Sequence, residues 1–415
     1  MFCKRIGSVF KILPCAIIAT ADIGKFWFYG YCRASNGAES VVRRFSNTGY
    51  GYRKFESFVM DFCKKQHGQD VVIGFESTGC FGIPFMHFWC HRHVHLVQVN
   101  PMHTKKMKEV QDNSPNKTDK KDPRVIADII ELGRSLSVVI PEGVAAELRQ
   151  YIHGRERTMQ HLHVLQNQLQ DLAFVLFPEF FAVVPNLTTK SAHYLLRHYP
   201  RPEQIVSGNE EDLYGVLRRV SKGQFKRERV MLLREAALQS AGIKEGVEGI
   251  VYEMGILLDQ IEQVEAIVEQ LETRIGQYLP KIPWSRILLS IKGIGPITAA
   301  GLIGELVDLS SFGSINAVMK YAGLNLYEVS SGKHQGQRRI SKRGRPLLRK
   351  LLYYAVLNLI RCNVSFAERY QEYVKRGMKK SKALIALSRK LLRMIYSMVR
   401  NQTEYDEQYA YKEAA

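Results

Sequence analysis

The chain has 415 residues, 46% of them hydrophobic, and a formal net charge of +19. That apolar content excludes intrinsic disorder and suffices for two or three domains with real cores. The cationic excess points to a polyanionic partner, and no uninterrupted apolar run of about 18 residues implies a transmembrane helix.

The first elements read as strands. Ala16-Ile17-Ile18-Ala19-Thr20-Ala21 leads into Asp22, and Phe26-Trp27-Phe28-Tyr29-Gly30-Tyr31 returns after the tight turn at Ile23-Gly24-Lys25. Asp70-Val71-Val72-Ile73-Gly74-Phe75 closes at Glu76, and His95-Leu96-Val97-Gln98-Val99 closes at Asn100-Pro101. The lysine-rich stretch Lys105 to Lys108 follows, then Asn116-Lys117-Thr118-Asp119-Lys120-Lys121-Asp122-Pro123, which opens a helix over Arg124 to Ile130. Strand ends at one edge of a sheet bring distant acids together, and a spacing of i, i+3 puts Asp119 and Asp122 on one helix face. Converging carboxylates suit magnesium or manganese and two-metal phosphoryl transfer, with ions about 3.5–4 Å apart. Asp122 before Pro123 reads equally as a helix cap with a first-turn proline, and Asp119 as an exposed turn acid. The histidines at 87, 91, 93, 95 and 103 read as polar loop and strand-face residues rather than a zinc site, having no cysteine partners at ligand spacing.

Helices follow after Pro141-Glu142-Gly143. Leu148, Ile152, Met159, Leu162, Leu169 and Leu176 form a heptad-like seam weakened by Arg155, Gln166 and Ala173. Ile250, Met254, Leu257, Ile261, Val264, Val268, Leu271 and Ile275 form an unbroken one, the pattern of coiled-coil packing, and the two segments are expected to pair within or between chains. The basic stretch from Thr188 to Lys244 between them reads as short helices and loops without a legible role.

A second domain begins near Trp284. Leu289 to Ala300 has the form of helix, glycine hairpin and helix, in which Gly293 and Gly295 let a backbone approach a phosphate at a helix N-terminus. A glycine pair also marks ordinary tight turns. Tyr321-Ala322-Gly323-Leu324-Asn325, Ser330-Ser331-Gly332-Lys333 and Arg338-Arg339-Ile340-Ser341-Lys342-Arg343-Gly344-Arg345-Pro346-Leu347-Leu348-Arg349-Lys350 come next. Between residues 330 and 400, nineteen lysines and arginines face only Glu368 and Glu372, so this part is expected to bind nucleic acid. The candidate contacts are Lys117, Gly293, Gly295, Lys333, Arg338, Arg339, Lys342, Arg343, Arg345 and Arg349. Residues 381–396 could form a basic amphipathic helix on a membrane, but packing into a core with a basic outer face is the simpler reading. The serines either position DNA through their hydroxyls or supply a nucleophile assisted by neighbouring arginines. Seven scattered cysteines without a CxxC pair, and a short mixed N-terminus, suggest a reducing, cytoplasmic setting.

The ordered blocks Asp22-Ile-Gly-Lys, Glu76-Ser-Thr-Gly, Lys117-Thr-Asp-Lys-Lys-Asp122, Gly293-Ile-Gly-Pro, Tyr321-Ala-Gly-Leu, Ser331-Gly-Lys and Ile340-Ser-Lys-Arg-Gly resemble the IS110/IS1111 family of insertion-sequence transposases, to which Piv-type DNA invertases are related. The resemblance implies an α/β plus α chain: a RuvC-like, RNase H-type domain over residues 1–140, helical coiled-coil segments over 141–280, a mostly helical transposase domain with a helix-hairpin-helix-like element over 281–400, and a tail over 401–415. It implies a DEDD site of Asp22, Glu76, Asp119 and Asp122 holding Mg2+ or Mn2+, and a catalytic serine at Ser331 or the adjoining Ser330. Donor and target DNA, a structured guide RNA encoded by the element, and a homo-dimer or tetramer are the implied partners. A metal-dependent nuclease similar to a Holliday-junction resolvase, using the acids alone, is the alternative.

Overall fold

The computed structural model describes residues 16–76, 79–111, 122–328 and 338–407. The N-terminal strands are β1 (Ala16–Ile23), β2 (Trp27–Ala34), β3 (Arg43–Ser46), β4 (Asp70–Glu76), β5 (His95–Val99) and β6 (Leu136–Ser137), with helices α1 (Gly49–Lys65), α2 (Ile83–Cys90), α3 (Pro101–Gln111) and α4 (Asp122–Glu131). The sheet has the order β3-β2-β1-β4-β5-β6. β1 to β3 form an antiparallel meander, while β4 and β5 run parallel to β1.

β1 is central and covered on both faces, which is why its sequence is a continuous apolar run rather than an alternation. Ile17, Ala19, Ala21 and Ile23 meet Phe28, Phe55, Phe85 and Trp89 under α1 and α2. Ala16 and Ile18 face the other way, into a layer with Val72, Val97 and the α4 residues Val125, Ile126, Ile129 and Ile130. Each fully buried phenylalanine or isoleucine contributes about 1.5–3 kcal/mol, so these two layers hold the sheet between its helices. Gly74 is where α4 comes closest, since a Cβ there would run into Ile130.

Residues Glu147–Ile282 form one compact unit, and the described segments on either side of it together form the other. In the first, α5 (Gly143–Leu176) enters from the preceding segment, followed by α6 (Phe180–Val183), α7 (Lys190–His198), α8 (Pro202–Ser207), α9 (Glu210–Val220), α10 (Arg227–Leu238) and α11 (Val247–Tyr278). Arg155 pairs with Glu272 at 2.6 Å and the Tyr151 and Tyr278 rings lie 5.3 Å apart, so α5 and α11 run antiparallel. The stretch between them, which reads from sequence as short helices and loops, is a set of short helices that share one core with Leu169, Leu176, Leu258 and Ile261.

The second unit continues with α12 (Ser285–Leu289), α13 (Pro296–Leu306), α14 (Ile315–Ala322), the strands β7 (Leu326–Tyr327) and β8 (Arg339–Ile340), and α15 (Pro346–Cys362), α16 (Val364–Lys375) and α17 (Lys380–Asn401). α17 buries Leu384, Leu387, Leu391, Leu392 and Ile395, so its apolar stripe is used inside the protein. Among the described residues no helix is long and apolar enough to cross a membrane.

Candidate active site

The parallel pairing of β1 with β4 aligns Ala21 with Phe75, so Asp22 and Glu76 stand side by side one residue further on. Side chains alternate along a strand; Asp22 therefore shares its face with Ile18 and Thr20, and Glu76 shares its face with Val72 and Gly74. Both acids lie on the face that α4 covers. The hydroxyl of Thr20 donates to the Pro123 carbonyl at 2.6 Å in a buried bond, pinning the first turn of α4 against β1 beside Asp22. Asp122 is the first residue of that helix. A carboxylate there is favoured by the helix dipole.

The Asp122 side chain is only 9% exposed, and its Oδ1 accepts from Lys108 Nζ of α3 at 2.5 Å. A cation is thus accommodated beside this acid, and the oxygen donors of Asp22, Glu76 and Asp122 match the preference of hard divalent ions. Among the described residues, no three His, Cys, Asp or Glu side chains gather closely enough to hold a metal ion. Asp119 and Lys117 lie outside the described residues, as do Ser330, Ser331 and Lys333. Lys108 was not singled out by the sequence reasoning: it is one of several lysines in a row, and only packing tells which one reaches Asp122.

In the C-terminal segment β7 and β8 pair antiparallel, and residues 329–337, which carry the serines, connect them. The base of this hairpin is locked. Lys342 N–H donates to the Gly323 carbonyl, Ser341 N–H to Asn325 and Arg345 N–H to Tyr321. Gly344 lies so close that a Cβ there would meet the Tyr321 carbonyl and the Gly323 amide, and Gly323 itself has φ +70°. Arg345 forks onto Glu305 at 2.8 and 3.0 Å, a carboxylate whose side chain is 1% exposed. Burial lowers the Arg345 pKa, but the Glu305 hydrogen bond together with the charges of Tyr321 and Glu305 outweighs it and the net direction is upward. Arg349 donates to the Ala322 carbonyl at 2.9 Å and Arg338 to Glu328 at 3.0 Å. Arg345 therefore holds the fold in this state, whereas Arg339, Lys342 and Arg343 are exposed with no acid partner among the described residues. Glu305 also escaped the sequence reasoning. A lone acid inside the apolar helix Pro296–Leu306 was the signal for it.

Gly293 adopts φ +110°, and a Cβ there would lie 2.6 Å from Cys362 Sγ, so what its bare backbone admits is α15. Gly295 is the N-cap of α13 and faces open space. His103 of α3 is drawn below the usual histidine range by burial, and the charges of Arg343, Arg134, Lys106 and Lys320 push it the same way. α3, which carries Lys108, is thus within electrostatic reach of two cations of the C-terminal segment.

Two family models match the chain. Residues 19–178 match a DEDD model of the IS110 type described as a transposase, and residues 285–371 match the model described as the transposase IS116/IS110/IS902 family. The 43.6 kDa protein of insertion element IS110 from Streptomyces coelicolor is 23% identical over 305 residues, covering 72% of this chain and 75% of its own. The 44.8 kDa protein of insertion element IS116 from Streptomyces clavuligerus is 23% identical over 69% of this chain and 72% of its own. A pilin gene-inverting protein from Moraxella lacunata is 28% identical over 52% of this chain and 65% of its own. The first model spans the strands that carry Asp22 and Glu76 and the second spans the locked hairpin, and together they establish that the chain belongs to the IS110 family of DNA transposases.

Proposed function

We propose that the chain cuts and rejoins DNA at the ends of an insertion sequence, using Asp22, Glu76, Asp119 and Asp122 as a metal-holding acid set and Ser331 as nucleophile. The observation that carries this reading is the alignment of Asp22 with Glu76 on adjacent parallel strands, under a helix that begins at Asp122. The strand order, with three antiparallel strands followed by two parallel to the first, supports an RNase H-type, RuvC-like domain. Bound Mg2+ or Mn2+ would neutralise charge on the scissile phosphate.

The serine hydroxyl attacks phosphorus, its proton passes to a carboxylate of the acid set, and the phosphorus–oxygen bond to the DNA breaks, the leaving oxygen taking a proton from water to depart as a hydroxyl. The resulting serine phosphodiester keeps the bond energy, so an incoming hydroxyl reseals the strand and restores the serine without ATP. Serine is a poor nucleophile without such a proton acceptor. Arg339, Lys342 or Arg343 steadies the phosphate, which their exposure supports.

A structured RNA encoded by the element selects donor and target DNA, a reading supported by the family resemblance and by the cationic surplus of residues 330–400. The protein acts as a dimer or tetramer with coiled-coil contacts between copies. The α5/α11 pair leaves Val164, Tyr252, Ile256 and Ile267 exposed, which supports such contacts.

The test is cleavage of a DNA carrying the element end. Asp22→Asn and Glu76→Gln are expected to abolish strand cleavage, and full cleavage in the presence of a chelator refutes the metal site. Ser331→Ala is expected to abolish the protein–DNA adduct, whose attached peptide identifies Ser331 or Ser330. Cleavage that survives Ser331→Ala and leaves free ends with no adduct replaces this reading with the resolvase-like nuclease.

A further inference from the structure

Across the β1–β2 hairpin Asp22 pairs in register with Tyr29, and Ile23 with Phe28. Trp27 comes two residues nearer the turn than Tyr29, on the same face as Asp22 and roughly 7 Å along the strand. Phe28, on the opposite face, is fully buried among the rings of Phe45, Phe55 and Phe85. Trp27 is not buried: it is 49% exposed, with the Arg44 guanidinium 4.7 Å from its ring centroid. Arg44 is itself exposed and pairs with Tyr29 from β3, so the cation sits on the acid side of the sheet.

The turn repeats the pattern. Phe26 is 67% exposed and carries Lys25 Nζ at 5.0 Å from its ring. The Asn47 side-chain amide donates to the Gly24 carbonyl at 2.9 Å and to the Phe81 carbonyl at 3.2 Å, tying the turn to the segment that follows Glu76. Phe81 is exposed there as well. Large exposed aromatics gathered at one place mark a binding surface. Their interleaving with Lys25 and Arg44 fits a polyanion with flat apolar faces, which is nucleic acid, rather than an apolar protein surface.

We propose that Trp27, backed by Arg44, is a stacking platform for an unpaired base of the DNA strand whose phosphodiester lies at Asp22 and Glu76. The proposal rests on the acid site being where DNA is cut. A base inside a duplex has both faces occupied by its neighbours, so an exposed indole gains a stacking contact only from a base that has left the stack. Arg44 covers one face of the indole and leaves the rest open to the base. Lys25 and Arg44 then meet the flanking phosphates. Trp27 would hold the strand open beside the acids without reading its sequence, since every base offers a π-face.

The test is made on the full-length protein in chelator, where binding proceeds without cleavage. Anisotropy of a labelled oligo-dT strand, a labelled duplex and a labelled oligo-U strand gives the affinities, and a strand with one 2-aminopurine reports stacking. Trp27→Ala is expected to lose about tenfold to a hundredfold in affinity for the DNA single strand, to abolish the 2-aminopurine quenching, and to leave duplex binding and the melting temperature unchanged. Trp27→Phe is expected to retain most of the affinity. Unchanged single-strand affinity in Trp27→Ala, an equal loss on duplex, or a loss confined to the RNA strand overturns the proposal. Because binding is read without cleavage, the two readings fail separately. Normal cleavage by Asp22→Asn alongside lost single-strand binding by Trp27→Ala removes the acid site as the place of cutting and leaves the platform.

Discussion

Arg345→Met is expected to destabilise the protein far more than it weakens DNA contact at that position. Glu305 is almost wholly buried, and its two oxygens are held by one guanidinium at 2.8 and 3.0 Å. Removing that partner takes the forked, charge-assisted pair away from a carboxylate in the interior next to α14, where Tyr321 donates its hydroxyl to the Glu305 carbonyl. Breaking a buried pair from one side costs about 3–5 kcal/mol, and the forked geometry places this pair in the stronger class of hydrogen bonds. A surface arginine that only touches a phosphate would cost less than about 0.5 kcal/mol. Urea unfolding followed by circular dichroism measures the difference. The double variant Glu305→Leu with Arg345→Met should regain most of the loss, because no charge is then left unpaired. If Arg345→Met unfolds at the parent urea concentration while its salt-dependent DNA affinity falls, the arginine belongs to the DNA interface and not to the support of Glu305.

Lys108→Met leaves the nearly buried Asp122 without its cation and should cost about 1–3 kcal/mol in metal-free buffer; a thermal melt that shifts less with this variant after magnesium is added supports an ion taking over the lysine's place, and equal shifts with and without magnesium speak against it. Gly293→Ala places a Cβ against Cys362 at φ +110° and should lower stability, with Cys362→Ala recovering only the steric part; full recovery in the double variant would show that the backbone conformation costs nothing. Ile261→Ala, at a fully buried position of the α11 seam, should cost about 2–5 kcal/mol; a loss below 1 kcal/mol in a denaturant melt would mean that the seam is not packed.

The sheet was legible because its central strands are the simplest case in the chain. β1 and β4 are buried on both faces, so their apolar runs are continuous, and the acids stand out where each run stops. The helix after Pro123 was legible from its first-turn proline, and α4 begins at Asp122, which is its first residue rather than the cap before it. Short edge strands gave no such signal. β3 and β6 owe their pairing to a neighbour rather than to their own four and two residues. The α5 seam shifts register at Leu165, which is buried beside Leu162 and Leu169 while Gln166 is not. Arg155, which breaks the heptad pattern, is used by Glu272 across the helix pair. In each of these cases the deciding residue lies on another element, and sequence spacing carries no information about it.

The C-terminal blocks illustrate the same limit in a sharper form. Tyr321-Ala-Gly-Leu and Ile340-Ser-Lys-Arg-Gly read as two separate motifs, the second carrying candidate nucleic-acid contacts at Lys342 and Arg343. In the fold they are the two sides of one junction: Gly323 and Gly344 bring their backbones together, and the amides of Ser341, Lys342 and Arg345 spend their hydrogen bonds on the carbonyls of residues 321–325. The glycines are there because any Cβ would separate the end of α14 from the segment leading into α15, and Arg345 is there because Glu305 is buried. This junction fixes where β7 ends and β8 begins, and therefore where both ends of the serine-bearing stretch are held. A hydroxyl that must reach a phosphate within a few tenths of an ångström needs such an anchor. The chemistry proposed for Ser331 thus depends on backbone contacts outside the serine-bearing stretch itself, and Gly344→Ala should abolish adduct formation while Asp22, Glu76 and Asp122 keep their arrangement.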